Sequence, residues 1–376
     1  MKGGRDFTSL FEPAKNKSFN ASTALKSALI VGELEDVRSQ LYVWTHKGGK
    51  WARTPLPTSG IAHYTASPVE ANDSDDYWFI TTGFTQPTTL ELGTLGKPLQ
   101  KMKASPAFFD ATGLVVEQHF ATSKDGTKIP YFQVSKKDVK LDGTNPTLLT
   151  AYGGFEVSIE PYYDALAGAA WLEKGGVLVS ANIRGGGEYG PAWHQAGLKT
   201  KRQNIYDDMI AVSEDLISRK VTSTPKLGIE GGSNGGLLMG VMLTQRPDLF
   251  GAIVCQVPLL DMKRYHLLLA GASWMGEYGD PNNAEEWAAL SKFSPYQNVK
   301  KGVKYPRTLF TTSTRDDRVH PGHARKMVAR MDGFGDDILY YENVEGGHGG
   351  AANNEQRAFM NALAFTFLSK QLGLAH

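Results

Sequence analysis

A serine flanked by glycines could supply the nucleophile for an acyl transfer. Gly231, Ser233 and Gly235 fit the pattern G-x-S-x-G, between the strand-like run KLGIEGG and the helix-like run NGGLLMGVMLTQ. The serine of such a joint occupies a strained turn, where larger neighbours would collide with the strand and the helix. The main-chain amide of Asn234, at the start of the helix, faces the place where an oxyanion would form. We therefore expect Ser233 to be the nucleophile and the Asn234 amide to stabilise the oxyanion.

A serine hydroxyl needs a base to accept its proton, and the base needs a third group to orient it. Downstream of Ser233 lie two adjacent aspartates, Asp316 and Asp317 in RDDRVHPG, and then His348 in EGGHGG. Each string follows a predicted strand, at the edge where open α/β sheets place their sites. The order Ser, Asp, His predicts a catalytic triad, and spacing alone does not separate the two aspartates.

Other histidines and the cysteine are weaker candidates for a catalytic or metal-binding role. His320 and His323 form H-x-x-H, but a Pro-Gly pair separates them and the helical H-E-x-x-H arrangement of a metal site is missing. We expect no metal. His194 and His266 are isolated in the sequence and are interpreted as structural or surface residues, and Cys255 as a core residue of a buried strand.

A glycine fingerprint for a dinucleotide is present but weak. Gly185, Gly187 and Gly190 fit G-x-G-x-x-G after a strand. The acid of a dinucleotide site should end the next strand, whereas Asp207 opens a helix. We interpret the glycines as a flexible loop near the site and expect no cofactor.

The elements that position these residues fall into two patterns. From about Phe109 a strand pair is predicted around the turn SKDGTK, and after it short apolar runs alternate with helical runs, which predicts a mostly parallel, doubly wound sheet with helices on both faces. PYYDALAGAAWLEKG, for example, has helical periodicity. The first hundred residues instead predict an antiparallel meander, with strands at SALIVGEL, SQLYVWTH and DDYWFITTG and a turn at KGGK. This meander has room for about two four-stranded blades of a β-propeller, too few to close a ring, so its open edges would favour self-association.

Composition narrows the class of protein. The chain has 376 residues with 40 Lys+Arg against 39 Asp+Glu, a net charge of +1 that argues against a generally basic nucleic-acid binder. No apolar run approaches the ~20 residues that cross a membrane. A single cysteine excludes an intrachain disulfide. The first residues lack the apolar region of a signal peptide, so we expect a cytoplasmic protein if Met1 is the natural start, and a periplasmic or secreted one if it is not.

Six strings in order resemble the prolyl oligopeptidase family of serine peptidases. They are AYGGF (151–155), NIRGGGEYG (182–190), EGGSNGG (230–236), SWMGEYGDP (273–281), RDDRVHPG (315–322) and EGGHGG (345–350). The resemblance implies an α/β-hydrolase domain at 105–376, preceded at 1–104 by the last blades of a propeller. Family members carry a complete seven-bladed propeller, so we expect this chain to be part of a longer protein or to lack the filter for substrate size.

The resemblance also implies roles for single residues and a substrate. Asp316 would be the aspartate that orients His348, and Tyr152 would donate its hydroxyl to the oxyanion beside the Asn234 amide. Arg318 would hold a carbonyl group of the peptide. An apolar pocket for the residue before the scissile bond (the S1 pocket) would be built from aromatic side chains, with the indole stacked on a proline ring: Phe155, Trp274 and Tyr278. The implied activity is a serine endopeptidase that cleaves short peptides after proline through an acyl-enzyme, with no cofactor, no nucleic-acid partner and no membrane partner.

Three alternatives stay open from the sequence. The same machinery could act as an esterase or as a peptidase of another specificity, including removal of acylated N-terminal residues. Cleavage after basic residues would require carboxylates in S1. Glu277 lies between Trp274 and Tyr278, and the sequence does not show whether its side chain points into the pocket. A third alternative is a non-catalytic fragment that serves as a binding module.

Overall fold

A computed structural model of the chain describes residues 7–374. Contacts along the chain divide it into two units. The first is Met1–Ala107, Glu160–Tyr163 and Glu188–Gly190, and the second is Phe108–Ile159, Asp164–Gly187 and Pro191–His376.

The first unit contains two four-stranded antiparallel sheets whose strands are in sequential order. The strands are β1 (Lys17–Ala24), β2 (Ala28–Glu35), β3 (Arg38–Lys47), β4 (Lys50–Pro55), β5 (His63–Pro68), β6 (Asp76–Gly83), β7 (Gln86–Thr94) and β8 (Gln100–Ala104). The predicted turn KGGK joins β3 to β4, where Gly48 and Gly49 have φ values of 58° and 76°. Two successive left-handed residues suit a tight hairpin turn and favour glycine. The predicted meander is confirmed, and each sheet has the form of a propeller blade.

The second unit is built on an eight-stranded mixed sheet in the order β16-β15-β14-β13-β11-β12-β10-β9. Its strands are β9 (Leu114–Thr122), β10 (Lys128–Lys136), β11 (Thr147–Thr150), β12 (Val177–Ala181), β13 (Leu227–Gly232), β14 (Ala252–Gln256), β15 (Arg307–Ser313) and β16 (Ile338–Asn343). The strands from β11 to β16 pair in parallel, and β9 and β10 are antiparallel. The mostly parallel sheet of the predicted α/β fold is confirmed.

Helices connect and cover these strands. They are α1 (Ala165–Ala167), α2 (Pro191–Gln195), α3 (Gln203–Ser218), α4 (Asn234–Gln245), α5 (Met275–Tyr278), α6 (Ala284–Phe293), α7 (Pro295–Asn298), α8 (Gly322–Asp332) and α9 (Asn354–Leu372). The helix predicted over 161–175 is shorter: it begins at Ala165 and continues through one wider turn, Gly168–Leu172. The sequence reading missed α6, although Asn283 caps it by accepting from the amides of Glu285 and Glu286.

The central strands of the sheet are buried, as expected for parallel strands covered by helices. Leu149, Val179, Ile229 and Ile253, one from each of four neighbouring strands, have no exposed surface. The chain passes from β11 to β12 on one side and then to β13 on the other. A crevice forms at the carboxyl ends of strands where the order reverses in this way, so the ends of β11 and β13 are the expected place for a site.

No helix within residues 7–374 combines the length and the apolar character needed to cross a lipid bilayer.

Candidate functional site

Ser233 occupies a strained turn between β13 and α4. Its φ and ψ are 59° and −117°, a conformation that non-glycine residues rarely adopt. A Cβ atom on Gly231 would lie 2.7 Å from the carbonyl oxygen of Gly235, so this position requires glycine. The Ser233 amide donates to the Gln256 carbonyl oxygen at 2.9 Å. The turn therefore presents the hydroxyl group at the carboxyl edge of the sheet.

Ser233, His348 and Asp316 form a continuous hydrogen-bonded chain. His348 Nε2 lies 3.1 Å from Ser233 Oγ. His348 Nδ1 lies 2.8 Å and 3.0 Å from the two carboxylate oxygens of Asp316. The Asp316 side chain is fully buried, whereas that of His348 is 22% exposed. A carboxylate that accepts the Nδ1 proton leaves Nε2 free to accept a proton from the serine.

The main chain holds the Asp316 carboxylate in place. Its Oδ1 atom accepts from the amides of Arg318 and Val319, both at 2.9 Å. Asp317, the second aspartate, which spacing alone could not separate from the first, is exposed to solvent. The structure thus brings Asp316 and not Asp317 to the histidine.

The loop that carries His348 is folded tightly on itself. A Cβ atom on Gly346 would lie 2.6 Å from the carbonyl oxygen of Gly350, and the Gly346 carbonyl oxygen accepts from Ser313 Oγ at the end of β15. Glycines in EGGHGG therefore permit the close turn that directs the imidazole toward the serine.

Tyr152 follows β11, the strand that pairs with β13, so it lies beside the Ser233 turn. The side-chain amide of Asn234 donates to the Tyr152 carbonyl oxygen at 2.7 Å. Burial raises the pKa of the Tyr152 phenol, and the charge of Arg318 and a hydrogen bond with Ser233 act in the opposite direction. The phenol therefore keeps its proton at neutral pH.

The three aromatic residues predicted for S1 differ in their surroundings. The rings of Phe155 and Tyr278 meet edge to face, with centroids 5.7 Å apart. Tyr278 is buried, and its hydroxyl donates to Asn234 Oδ1 at 3.0 Å. Trp274 is half-buried and ends a helical turn, Leu269–Trp274, directly before α5. Arg318 is exposed, and its carbonyl oxygen accepts from Ala270, within the same turn as Trp274.

Glu277, which the sequence could not orient, is turned away from solvent and has partners on both oxygens. Its Oε1 accepts from Arg202 Nη1 and from the Phe155 amide, both at 3.0 Å. Its Oε2 lies 2.7 Å from His194 Nε2. Sequence reasoning missed Arg202, which lies in no recognisable motif, and treated His194 as isolated. Only the fold brings these side chains together.

The other histidines serve local structure. His323 is buried, and its Nδ1 accepts from the amides of Leu260 and Asp261 at 3.3 Å and 3.1 Å. Burial lowers the pKa of His323 to about 4, so the ring is neutral. His320 Nδ1 accepts from the Gly322 amide, and His266 contacts Asn282. In the part of the chain from 7 to 374, no three His, Cys, Asp or Glu side chains are grouped to hold a metal ion.

The glycine loop after β12 packs closely on the segment that contains Phe155. Cβ atoms on Gly185 and Gly187 would lie 2.7 Å and 2.4 Å from the carbonyl oxygens of Gly153 and Glu156. These glycines are therefore required by a close approach of two backbones. Cys255 is buried in β14, and burial raises the pKa of its thiol.

Comparison with known proteins identifies relatives along most of the chain. The model of the prolyl oligopeptidase family matches residues 163–375. An uncharacterized peptidase of Sinorhizobium fredii is 50% identical over 366 residues, covering 96% of this chain and 50% of that protein. A prolyl endopeptidase of Elizabethkingia miricola is 36% identical over 345 residues, covering 91% of this chain and 48% of that protein. The solved structure of a post-proline cleaving enzyme from Rickettsia typhi matches with a TM-score of 0.89 and 38% identity, covering 97% of this chain and 53% of that one.

The chain spans about half the length of the curated relatives it matches. The family model covers more than half of the chain, including the Ser233 turn and the loops that carry Asp316 and His348. The likeness to the solved structure extends to the antiparallel sheets of the first unit, since it covers nearly the whole chain. By this match in sequence and in fold, the chain belongs to the prolyl oligopeptidase family.

Proposed function

We propose that this chain carries the catalytic site of a serine peptidase that cleaves short peptides on the carboxyl side of proline. The observation that carries the proposal is the hydrogen-bonded chain from Ser233 Oγ through His348 to Asp316. A serine within 3.1 Å of a histidine that a buried carboxylate orients is the arrangement that activates a hydroxyl group for attack on a carbonyl carbon.

The proposed reaction has two halves. Ser233 Oγ attacks the carbonyl carbon before the scissile bond while His348 Nε2 takes its proton, and the oxyanion is stabilised by the Tyr152 hydroxyl and the Asn234 amide. His348 then gives the proton to the leaving amine, and the C–N bond breaks to leave an acyl-enzyme. Water, deprotonated by His348, then attacks the acyl carbon. The bond from this carbon to Ser233 Oγ breaks, His348 returns the proton to the serine, and the acid leaves. No cofactor takes part in these steps.

The surroundings of S1 favour an apolar side chain over a basic one. Two carboxylates adjoin the proposed pocket residues in sequence. Glu156, directly after Phe155, has a side chain that is 45% exposed and lies 3.7 Å from His194 Nδ1. Glu277, directly before Tyr278, has both oxygens occupied by Arg202, the Phe155 amide and His194. To reach Glu277, a cationic side chain of the substrate would have to displace Arg202 from a buried ion pair. This would leave a buried charge unpaired, which is strongly unfavourable. Phe155 and Trp274 offer flat apolar surfaces, and a proline ring has no donor that a polar pocket could recognise. Arg318 would hold a peptide carbonyl at the rim.

Two measurements test the proposal. A fluorophosphonate probe should label Ser233 in the purified protein, and Ser233→Ala should abolish the labelling. Turnover of a peptide with a chromophore after proline should then exceed turnover of the matched arginine peptide and of a short acyl ester. Absence of labelling in soluble, monodisperse protein favours the non-catalytic binding module, and preference for the arginine peptide or the ester rejects proline specificity.

A further inference from the structure

A buried ion pair lies directly behind residues of the proposed site. The side chains of Arg202 and Glu277 are 1% and 6% exposed, and Arg202 Nη1 lies 3.0 Å from Glu277 Oε1. Burying two charges carries a large desolvation cost, and well-packed apolar residues often replace such a pair without loss of stability. Stability alone therefore explains this buried pair poorly. The contacts of the pair with neighbouring residues are a better guide to its role.

The ion pair contacts the side chain of Asn234, whose main-chain amide is a proposed oxyanion donor. Arg202 Nη2 and the Tyr278 hydroxyl both donate to Asn234 Oδ1. Asn234 Nδ2 in turn donates to the carbonyl oxygen of Tyr152, whose phenol is the other proposed donor. The arginine thus restrains, through one asparagine, the two groups that would bind the oxyanion.

The ion pair also contacts a strained segment of the proposed S1 wall. Phe155 and Glu156 both have left-handed backbone conformations, with φ values of 57° and 58°. Non-glycine residues rarely adopt this conformation because it is strained, so the surrounding structure must hold it. Glu277 Oε1 accepts from the Phe155 amide, and the Glu156 amide donates to the Gly185 carbonyl oxygen at 3.1 Å.

We propose that Arg202 and Glu277 are positioning residues that hold the oxyanion donors and the S1 wall in one fixed relation. Glu277 holds Phe155, Arg202 holds Asn234, and the Arg202 guanidinium also stacks on the Tyr278 ring, 4.4 Å from its centroid. Neither side chain contacts the reacting atoms. This inference rests on the proposed function, because it assigns a role to the pair only if Ser233 is the nucleophile.

The decisive variant replaces both charges, Arg202→Met together with Glu277→Leu. Because no buried charge is left unpaired, we expect the double variant to fold, with a Tm lowered only by the loss of the acceptor for the Phe155 amide. Misplaced oxyanion donors should still lower kcat for the proline peptide, and the rate of fluorophosphonate labelling, by about 10- to 100-fold. The labelling rate is the more telling readout, because the probe's phosphonyl oxygen needs the oxyanion donors whether or not S1 is filled. A kcat and a labelling rate within about twofold of the unmodified protein, in a folded double variant, would overturn the inference.

A conservative variant decides the case if the double variant does not fold. Arg202→Lys keeps the charge, but an ammonium group cannot bond Glu277 and Asn234 with the two arms of a planar fork. We expect Tm to be retained and kcat to fall, and retention of both would contradict the proposal.

Arg219→Met is the matched control, since Arg219 follows the other end of α3 and bonds Tyr131 and Gln133 away from the site. It should leave kcat unchanged, and an equal loss of kcat there would mean that general loosening, not positioning, is the cause. Failure of the proposed function itself is a separate outcome, because the unmodified protein would then show neither labelling of Ser233 nor cleavage after proline.

Discussion

The side-chain amide of Asn234 donates to the main-chain carbonyl oxygen of Tyr152 at 2.7 Å. This bond joins the turn after β13, which carries the nucleophile, to the loop after β11, which carries the phenol. The fit is close: a Cβ atom on Gly154 would lie 2.6 Å from Asn234 Nδ2. The site therefore depends on contacts between two neighbouring strand ends as much as on the Ser233 turn itself.

The first prediction concerns the phenol. Because burial raises the pKa of Tyr152, its hydroxyl stays protonated and available as a donor through the neutral range. Tyr152→Phe should lower kcat for the proline peptide by about 100-fold, with a smaller change in KM, because the donor acts mainly on the charge of the transition state. Steady-state kinetics would measure both values. Tyr305→Phe, which removes a phenol that serves a local turn at Lys300, should leave kcat unchanged, and an equal effect of the two variants would contradict the role of Tyr152.

The second prediction separates the two adjacent aspartates. Asp316→Asn should lower kcat by about a thousandfold or more, because an amide in this place favours the wrong tautomer of His348. Asp317 is exposed and lies outside the relay, so Asp317→Asn should change kcat by less than about threefold. Measured Tm values for both variants would show whether folding is intact. Similar kcat values for the two variants would remove Asp316 from the proposed triad.

The third prediction is a dependence of stability on pH. Burial, with a contribution from the nearby charge of Asp164, raises the pKa of Glu230 from 4.5 to about 7. The folded protein thus binds this proton more tightly than the unfolded chain does. The resulting stabilisation is complete below pH 4.5 and is lost as the pH rises through about 7.

Glu230→Gln tests this directly, because the amide is neutral at every pH and can still accept from Gln256 Nε2, which donates to Glu230 Oε1 at 2.9 Å. The Tm of the variant should be close to that of the unmodified protein at about pH 5 and should exceed it at about pH 8. Subtracting the Tm of the unmodified protein from the Tm of the variant at each pH removes the contributions of the other titrating groups. A difference that is constant across this range would refute the raised pKa.

Much of the fold followed from local patterns. Apolar runs in KLGIEGG and GAIVCQVP correspond to β13 and β14, and the helical run after Ser233 corresponds to α4. Strand and helix periodicities are properties of a few consecutive residues, so a sequence shows them directly. The helix over 161–175 was predicted too long, because the Asp164 side chain accepts from the amides of Leu166 and Ala167 and so caps the helix at that point.

By itself, the order of residues determined the family, the alternation of strands and helices, and the serine, aspartate and histidine strings that end successive strands. Spacing left Asp316 and Asp317 equivalent and the resemblance favoured Asp316, but only the tertiary structure supplies the physical reason, because neighbouring side chains on one turn point in different directions. Tertiary structure alone oriented Glu277 and joined it to Arg202, 75 positions away in the chain. Pairings between such distant charges have no periodicity, since they arise only when the strand order of the folded sheet brings separate loops to one edge.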